Sequence, residues 1–480
     1  MTLQIAFDNS YARLPARLFA AQAPTPVRAP GLIVFNAGLA QALGIEAATD
    51  DAPALAQILA GNSLPQGATP LAQVYAGHQF GGFSPQLGDG RAILLGEVVD
   101  AGGQRHDITL KGAGRTPYSR GGDGRAWLGP VLREYLLSEA MHALGIPTTR
   151  ALAAVTTGEV VLRDTPLPGA VLTRVAQSHI RVGTFEFLAA RRDTEALRAL
   201  FDHTCARHFP QADGPAGLLQ QVVARQADLV AHWLAIGFIH GVMNTDNTAL
   251  SGETIDYGPA AFLDRWHPQT VYSFIDRHGR YAYDNQANVI VWNMAQLASA
   301  MLPLMPDPDA AVQAFTAIVH AMPARIAAAR LARFRAKLGL TAAPQDAAAE
   351  AADTALIDEL LALMQRHGLD FTNTFRALSG DDAAAALPDT PEAAQWLDRW
   401  RARIAPEDDP QALMRRSNPF VIARNHQVEA MIAAAVAGDF APFHRMLRVL
   451  SQPFTDQPEA LDLCQPPRPE EVVENTFCGT

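Results

Sequence analysis

Only three cysteines, Cys205, Cys464 and Cys478, occur in the 480 residues. They are too few for a disulfide framework and have no metal-ligand spacing, so a reducing, cytoplasmic setting is expected. Basic residues are in deficit, with a formal net charge of −11. That balance excludes the broad basic face of a nucleic-acid binder, and any phosphate binding has to be local. Long apolar runs are missing too. The nearest, residues 289–305 (VIVWNMAQLASAMLPLM), is interrupted by Asn293 and Gln296 and falls short of the about 18 apolar residues of a membrane span. It reads as a buried helix, and no membrane partner is expected. The start, MTLQIAFDNSYARL, lacks the basic stretch and apolar core of an export signal. Neither G-x-x-x-x-G-K-[ST], G-x-G-x-x-G nor G-x-S-x-G occurs, which removes a Walker A loop, a Rossmann fingerprint and a hydrolase nucleophile elbow.

A hydrophobic content of 49% is enough for a large core divided over two or more lobes. Residues 15–31, rich in Pro and Ala, read as an extended arm. Apolar β-formers at 92–99 and 107–111, separated by the turn Ala101-Gly-Gly-Gln104, predict an antiparallel hairpin. Trp127, Leu128, Val131, Leu132, Tyr135 and Leu136 recur at helical spacing and predict a helix over 126–144, stopped by Gly145 and Pro147. Two or three strands follow over 151–175. Beyond about 180 the pattern is mainly helical, with amphipathic stretches at 309–338, 348–366 and 426–450 and loops at 381–392 and 405–410. The prediction is α+β, a sheet lobe followed by a larger helical lobe, which is the order of protein-kinase-like folds.

The richest segment is His240–Gly258, HGVMNTDNTALSGETIDYG. Protein kinases carry H-R-D-x-x-x-x-N followed by D-F-G, whose Asn and second Asp hold Mg²⁺ on ATP phosphates. Asn247 stands seven residues after His240, and Asp256-Tyr257-Gly258 resembles the second element. Position 242, where the catalytic base would be, is Val. An Asn carbonyl and a carboxylate form a sensible oxygen donor set for Mg²⁺. The alternative is a plain polar turn built by Asn244, Asp246 and Asn247. Residues 253–258 predict a short strand delivering Asp256 at its end.

Glycine clusters interleaved with basic residues occur at 77–82, 87–91, 111–116 and 120–125. Backbone N–H groups in such loops can approach phosphate, although each cluster alone is equally a turn. Lys111 ends a predicted strand, and Glu134 lies in the next helix, partly inward, an arrangement similar to the kinase Lys–Glu ion pair; the alternative is two solvated surface residues. Arg174 and Arg181 flank the predicted lobe junction and can fork onto phosphate or serve as ordinary ion-pair residues.

The strings YAGHQFGGFSPQLGDGRA, TLKGAGRTPYSRGGDGRA, LREYLLSEAMHALGIPTTRAL, HGVMNTDN, IDYGP and NPFVIARNHQVEAMI resemble the selenoprotein O (UPF0061) family over nearly the whole chain. The resemblance implies a protein-kinase-like bilobal fold. Residues 1–175 would form the arm and sheet-containing lobe, and 176–480 a helical lobe with the metal site at 240–258 and a C-terminal helical extension. It implies a protein adenylyltransferase that moves AMP from ATP to Ser, Thr or Tyr hydroxyls of target proteins, itself included, and leaves open UMP transfer from UTP. ATP would bind in an orientation flipped relative to kinases, with pyrophosphate leaving. Gly88, Gly90, Arg91, Lys111, Asp123, Gly124, Arg174, Arg181 and Asp256 would contact the nucleotide, and Asn247 and Asp256 would hold Mg²⁺ or Mn²⁺. Asp246 would accept the proton and Glu134 would support Lys111. A monomer is expected. Thr248-Ala249 replaces the Met-Ser usual after the Asp-Asn pair. Cys478 occupies the family's antepenultimate redox position, but Tyr272 stands where a partner cysteine would be, so a regulatory disulfide has no second half. A protein or small-molecule kinase and a non-catalytic ATP-binding scaffold remain alternative readings.

Overall fold

A computed structural model describes residues 3–48, 50–341, 346–380 and 382–477; Cys478 lies outside the described residues. The chain is mixed α/β. Its largest sheet runs in the order Phe19–Ala21, Leu71–Gln73, Ala92–Val99, Arg105–Lys111, Pro166–Ala176, Arg150–Leu162 and Gly31–Phe35, with Ala126–Trp127 also paired on Pro166–Ala176. Every pairing is antiparallel. The expected hairpin and helix are present as Ala92–Val99 with Arg105–Lys111 and as Leu128–Ala143. The expected strands at 151–175 are the two long strands Arg150–Leu162 and Pro166–Ala176.

Both faces of this sheet are apolar, and period-two alternation sorts its side chains between two cores. Ile93, Leu95, Ile108, Leu110, Val171 and Val175 pack with Leu55, Ala56 and Leu59 of the helix Ala52–Leu59. Leu94 and Leu172 face the other way, onto Val131, Leu132 and Leu136 of Leu128–Ala143. Register then decides where the charges go. Leu172 pairs with Lys111 and Arg174 with Thr109, so Lys111 and Arg174 project from the same face, the one covered by that helix.

The remainder is mainly helical. The longest helix, Gly214–Ile236, ends where Gly237 adopts φ +73°, a left-handed C-cap that suits glycine. The apolar segment at 289–305 lies largely in the buried-faced helix Gln286–Met301. Among the described residues no helix is long and apolar enough to cross a membrane. Near the C-terminus, Arg424 is buried and bonds to Asp264 and Asp370, each at 2.8 Å. Asn425 exchanges hydrogen bonds with the backbone of Phe262. The NPFVIARNHQ string thereby braces the segment that follows Asp256.

Two expectations are corrected. Residues 15–31 are no free arm, because Leu18 is fully buried and Phe19–Ala21 pairs with Leu71–Gln73 at the sheet edge. Residues 253–258 are no strand: only Thr254 makes a bridge, to Thr148, and Asp256 sits at φ +64°. The β-formers Thr254 and Ile255 are satisfied by side-chain burial, and the chain turns instead of pairing.

Candidate functional site

A cleft lined from both the sheet and the helical part of the chain gathers most of the residues singled out above. Lys111 Nζ is 2.5 Å from Glu134 and 2.9 Å from Asp256. Arg174 also donates to both carboxylates, reaching Asp256 at 2.6 Å. Arg181 lies 3.5 Å from Asp256 and its guanidinium stacks over the Tyr75 ring at 4.3 Å. Glu134 is 5% exposed and Arg174 2%, so these charges interact with little water between them. Burial opposes ionisation of Asp256, but the adjacent Arg174, Lys111 and Arg181 outweigh it and hold the carboxyl well below its ordinary range.

The loop His240–Asn247 is fixed by its own polar groups. His240 Nε2 donates to the Ile255 carbonyl at 2.8 Å, tying this loop to the one that carries Asp256. Thr245–Asn247 forms a 3-10 turn, and Asn247 Nδ2 donates to the Val242 carbonyl at 2.9 Å. With its nitrogen so used, Asn247 keeps its amide oxygen as a hard donor. Asn247 and Asp256 both line the cleft. No trio of His, Cys, Asp and Glu arranged for a metal occurs among the described residues. Two protein oxygens, with phosphate and water completing the shell, suit Mg²⁺ or Mn²⁺.

Asp246 is 6% exposed. Burial pushes its carboxyl up to about 6, against the lowering effect of the Gln79 hydrogen bond and Arg181. Its backbone carbonyl accepts from Arg181 at 2.8 Å.

Gly88, Gly90, Arg91, Asp123 and Gly124 also line the cleft. The Asp123 carboxylate pairs with Arg163 at 2.8 Å. Glycine at 124, with φ +69°, is required by the protein itself: a Cβ there would stand 2.2 Å from the Gly114 backbone. The loops at 112–114 and 121–124 can therefore stack directly, with Gly114 N–H donating to the Gly124 carbonyl at 3.0 Å. Tyr272 is buried, and its carbonyl accepts from Thr476 N–H at 2.7 Å. Seven basic residues (Arg91, Lys111, Arg120, Arg125, Arg163, Arg174, Arg181) and five acidic ones (Asp89, Asp123, Glu134, Asp246, Asp256) line the cleft. That is a local excess of two positive charges in a chain of net charge −11.

A family model described as "Protein adenylyltransferase SelO" matches residues 1–451. The chain belongs to this family. Proteins named "Protein nucleotidyltransferase YdiU" align with it end to end: one from Roseobacter denitrificans is 59% identical over 480 residues and one from Ruegeria pomeroyi 58%, each covering 100% of both chains. One from Rhodopseudomonas palustris is 56% identical over 500 residues, again covering 100% of both.

Sequence reasoning missed several residues of this SelO-family cleft. Asp89 is buried 3.8 Å from Arg181 and accepts from Gln73 N–H. Tyr75 stacks on Arg181, and Gln79 reaches Asp246. Asp89 lies inside a glycine cluster already noted, so its carboxylate among glycines was the available signal.

Glu134 is one of two carboxylates that pair with Lys111 and Arg174, and its loss leaves Asp256 alone to balance both cations. Glu134→Ala is expected to lower unfolding free energy by about 3 kcal/mol, read by denaturant titration; a change under about 0.5 kcal/mol would contradict this account. Glu253, buried and accepting from Gln177 N–H at 2.9 Å and Ser251 Oγ at 3.0 Å, is pushed up by burial to about 8. The folded chain thus holds a proton there that the unfolded chain releases above about pH 4.5. The stability this contributes is full below that pH and is lost as pH rises through about 8. Glu253→Gln should remove that component, so variant and wild type converge in acid and the variant gains on the order of 4 kcal/mol by pH 8. Parallel stability profiles from pH 5 to 8 would refute it.

Proposed function

We propose that this cleft transfers AMP from ATP to Ser, Thr or Tyr hydroxyls of proteins, with residues 1–175 and 176–480 acting as the two lobes of a kinase-like bilobal fold in a cytoplasmic monomer. Membership of the SelO family makes the chain a protein nucleotidyltransferase. The observation that carries the finer reading is the convergence of Lys111, Arg174 and Arg181 on Asp256 beside a buried Asp246, with Val242 where a kinase base would stand.

The chemistry follows from those groups. The acceptor oxygen attacks the α-phosphorus, the bond from that phosphorus to the oxygen bridging to the β-phosphate breaks, and pyrophosphate leaves with the electron pair. Asp246 takes the hydroxyl proton. Lys111, Arg174 and Arg181 neutralise charge on the phosphates, and Glu134 holds Lys111 and Arg174 in place. Asn247 and Asp256 would hold Mg²⁺ or Mn²⁺, which supplies further charge neutralisation. Gly88, Gly90, Arg91, Asp123 and Gly124 complete the nucleotide pocket.

ATP labelled on the α-phosphate should leave label on casein and on the enzyme itself, with a mass gain of one AMP. Label from the γ-phosphate would identify a kinase, and ATP binding without label from either position a scaffold. Asp246→Ala and Asp256→Ala should each cut transfer by about 10²-fold or more; unchanged turnover removes that residue from the mechanism.

Divalent metal has to compete with Lys111 and Arg174 for Asp256, and nucleotide phosphates relieve that competition by drawing the cations away. Calorimetry should therefore find Mn²⁺ binding at least about tenfold tighter with a non-hydrolysable ATP analogue than without. Equal affinity in both states would show that Asp256 is not shared in this way.

A further inference from the structure

The hairpin Gly77–Gln79 and Gly82–Ser84 is bound to the loop carrying Asp246 through His78, Gln79 and Phe80. His78 N–H donates to Thr245 Oγ1 at 2.7 Å. Gln79 Nε2 donates to Asp246 Oδ2 at 2.9 Å. Phe80 N–H is shared between Asn244 Oδ1 at 3.2 Å and Tyr281 Oη at 3.1 Å. Three consecutive hairpin residues are thus matched to three consecutive residues of the loop. Glu186 locks the arrangement, meeting His78 Nδ1 through Oε1 and accepting from Thr245 Oγ1 through Oε2, each at 2.5 Å. The turn holds Phe80 at φ 52° and Gly81 at φ 83°. A bulky residue in the left-handed region is strained, and such strain persists where surrounding contacts over-determine it.

The other carboxylate oxygen points the same way. Asp246 Oδ1 is buried with no hydrogen-bond donor among the described residues. It packs on Gly77, where a Cβ would stand 2.5 Å from Oδ1 and 2.8 Å from the Asp246 Cβ. Oδ2 is the oxygen held by Gln79, and Gln79 and Asp246 both line the cleft. A carboxylate oxygen accepts two hydrogen bonds, so Oδ2 can take the acceptor hydroxyl while still held by Gln79.

We propose that Gln79 is a positioning residue for the transfer reaction: it fixes the Asp246 carboxylate against Gly77 so that Oδ2 meets the hydroxyl of the incoming protein. This rests on Asp246 being the proton acceptor. Gln79 acts on the acceptor side only, so its loss lowers kcat and spares ATP binding.

The test compares Gln79→Ala and the similarly sized Gln79→Met, which has no N–H to donate, with wild type and Asp246→Ala. Transfer of α-labelled AMP to casein, ATP affinity and thermal unfolding are measured for each full-length protein. Expected are a fall in kcat of about tenfold or more in both Gln79 variants, with KM for ATP within about twofold and an unaltered Tm. Wild-type turnover in both Gln79 variants beside an inactive Asp246→Ala would overturn the positioning role and leave the base standing. A KM for ATP that rises in step with the loss would overturn it as well, by placing Gln79 in the nucleotide pocket. Full turnover in Asp246→Ala would remove the base, and this inference with it.

Discussion

Asp256 accepts three cations at once, and much of the cleft is arranged so that it can. Lys111 and Arg174 arrive from neighbouring strands on one sheet face, Arg181 from the cap of the helix Val182–Ala190, and the carboxylate from a loop at φ +64°. Glu134 supplies the second negative charge beneath Lys111 and Arg174. A buried cluster of this kind is costly to desolvate and contributes little net stability beyond that of an apolar replacement. Its presence is better understood as preorganisation: cations held at fixed positions before an anionic ligand enters lose little to reorganisation when it does.

That constraint explains features that look unrelated. The sheet has to be buried on both faces, because the strand pair carrying Lys111 and Arg174 also needs an apolar partner for Ile108, Leu110, Val171 and Val175. The loop around Asp256 has to be clamped, because a left-handed aspartate relaxes unless its neighbours are fixed. His240 holds it at Ile255, Tyr257 is buried against Phe238 and bonded to Thr148, and Thr254 bridges to Thr148. Arg424 and Asn425, over 160 positions later, secure the segment beyond it through Asp264 and Phe262.

Local signals in the sequence were readable where local physics decides structure. The hairpin around Ala101–Gln104, the helix ended by Gly145 and the left-handed stop at Gly237 each follow from turn chemistry or apolar period. The spacing of His240, Asn247 and Asp256 was readable because short loops on fixed elements preserve it. Residues 253–258 were misread because β-propensity records a preference for a pleated, half-buried surface, and only Thr254 finds a pairing partner. The arm at 15–31 was misread because Pro-rich composition says nothing about an edge strand that pairs some 50 residues away. Gln79 was out of reach for a related reason: its contact with Asp246 spans 167 positions, and nothing local marks a glutamine among glycines as a partner for a distant carboxylate.

The absence of a carboxylate at 242 need not cost the site a base, given how tightly the loop is wound. Asn247 folds back onto the Val242 carbonyl, Asn247 N–H donates to the Asn244 carbonyl, and Asn293 holds the Met243 carbonyl at 3.0 Å and Thr248 Oγ1 at 2.9 Å. These bonds compress six residues, so that Val242, Asn244, Asp246 and Asn247 all face one cleft. A carboxylate moved four positions along an extended chain would be far from its starting point; moved four positions along this loop, it stays within the same cavity. What changes is its surroundings. Packed against Gly77, Asp246 is desolvated and less inclined to stay ionised than an exposed carboxylate, which is the direction that makes a carboxylate a stronger proton acceptor near neutral pH. With Asp246 as the proposed proton acceptor, a hydroxyl would approach a different point of the cleft, and meet a more basic carboxylate, than at a solvated position 242.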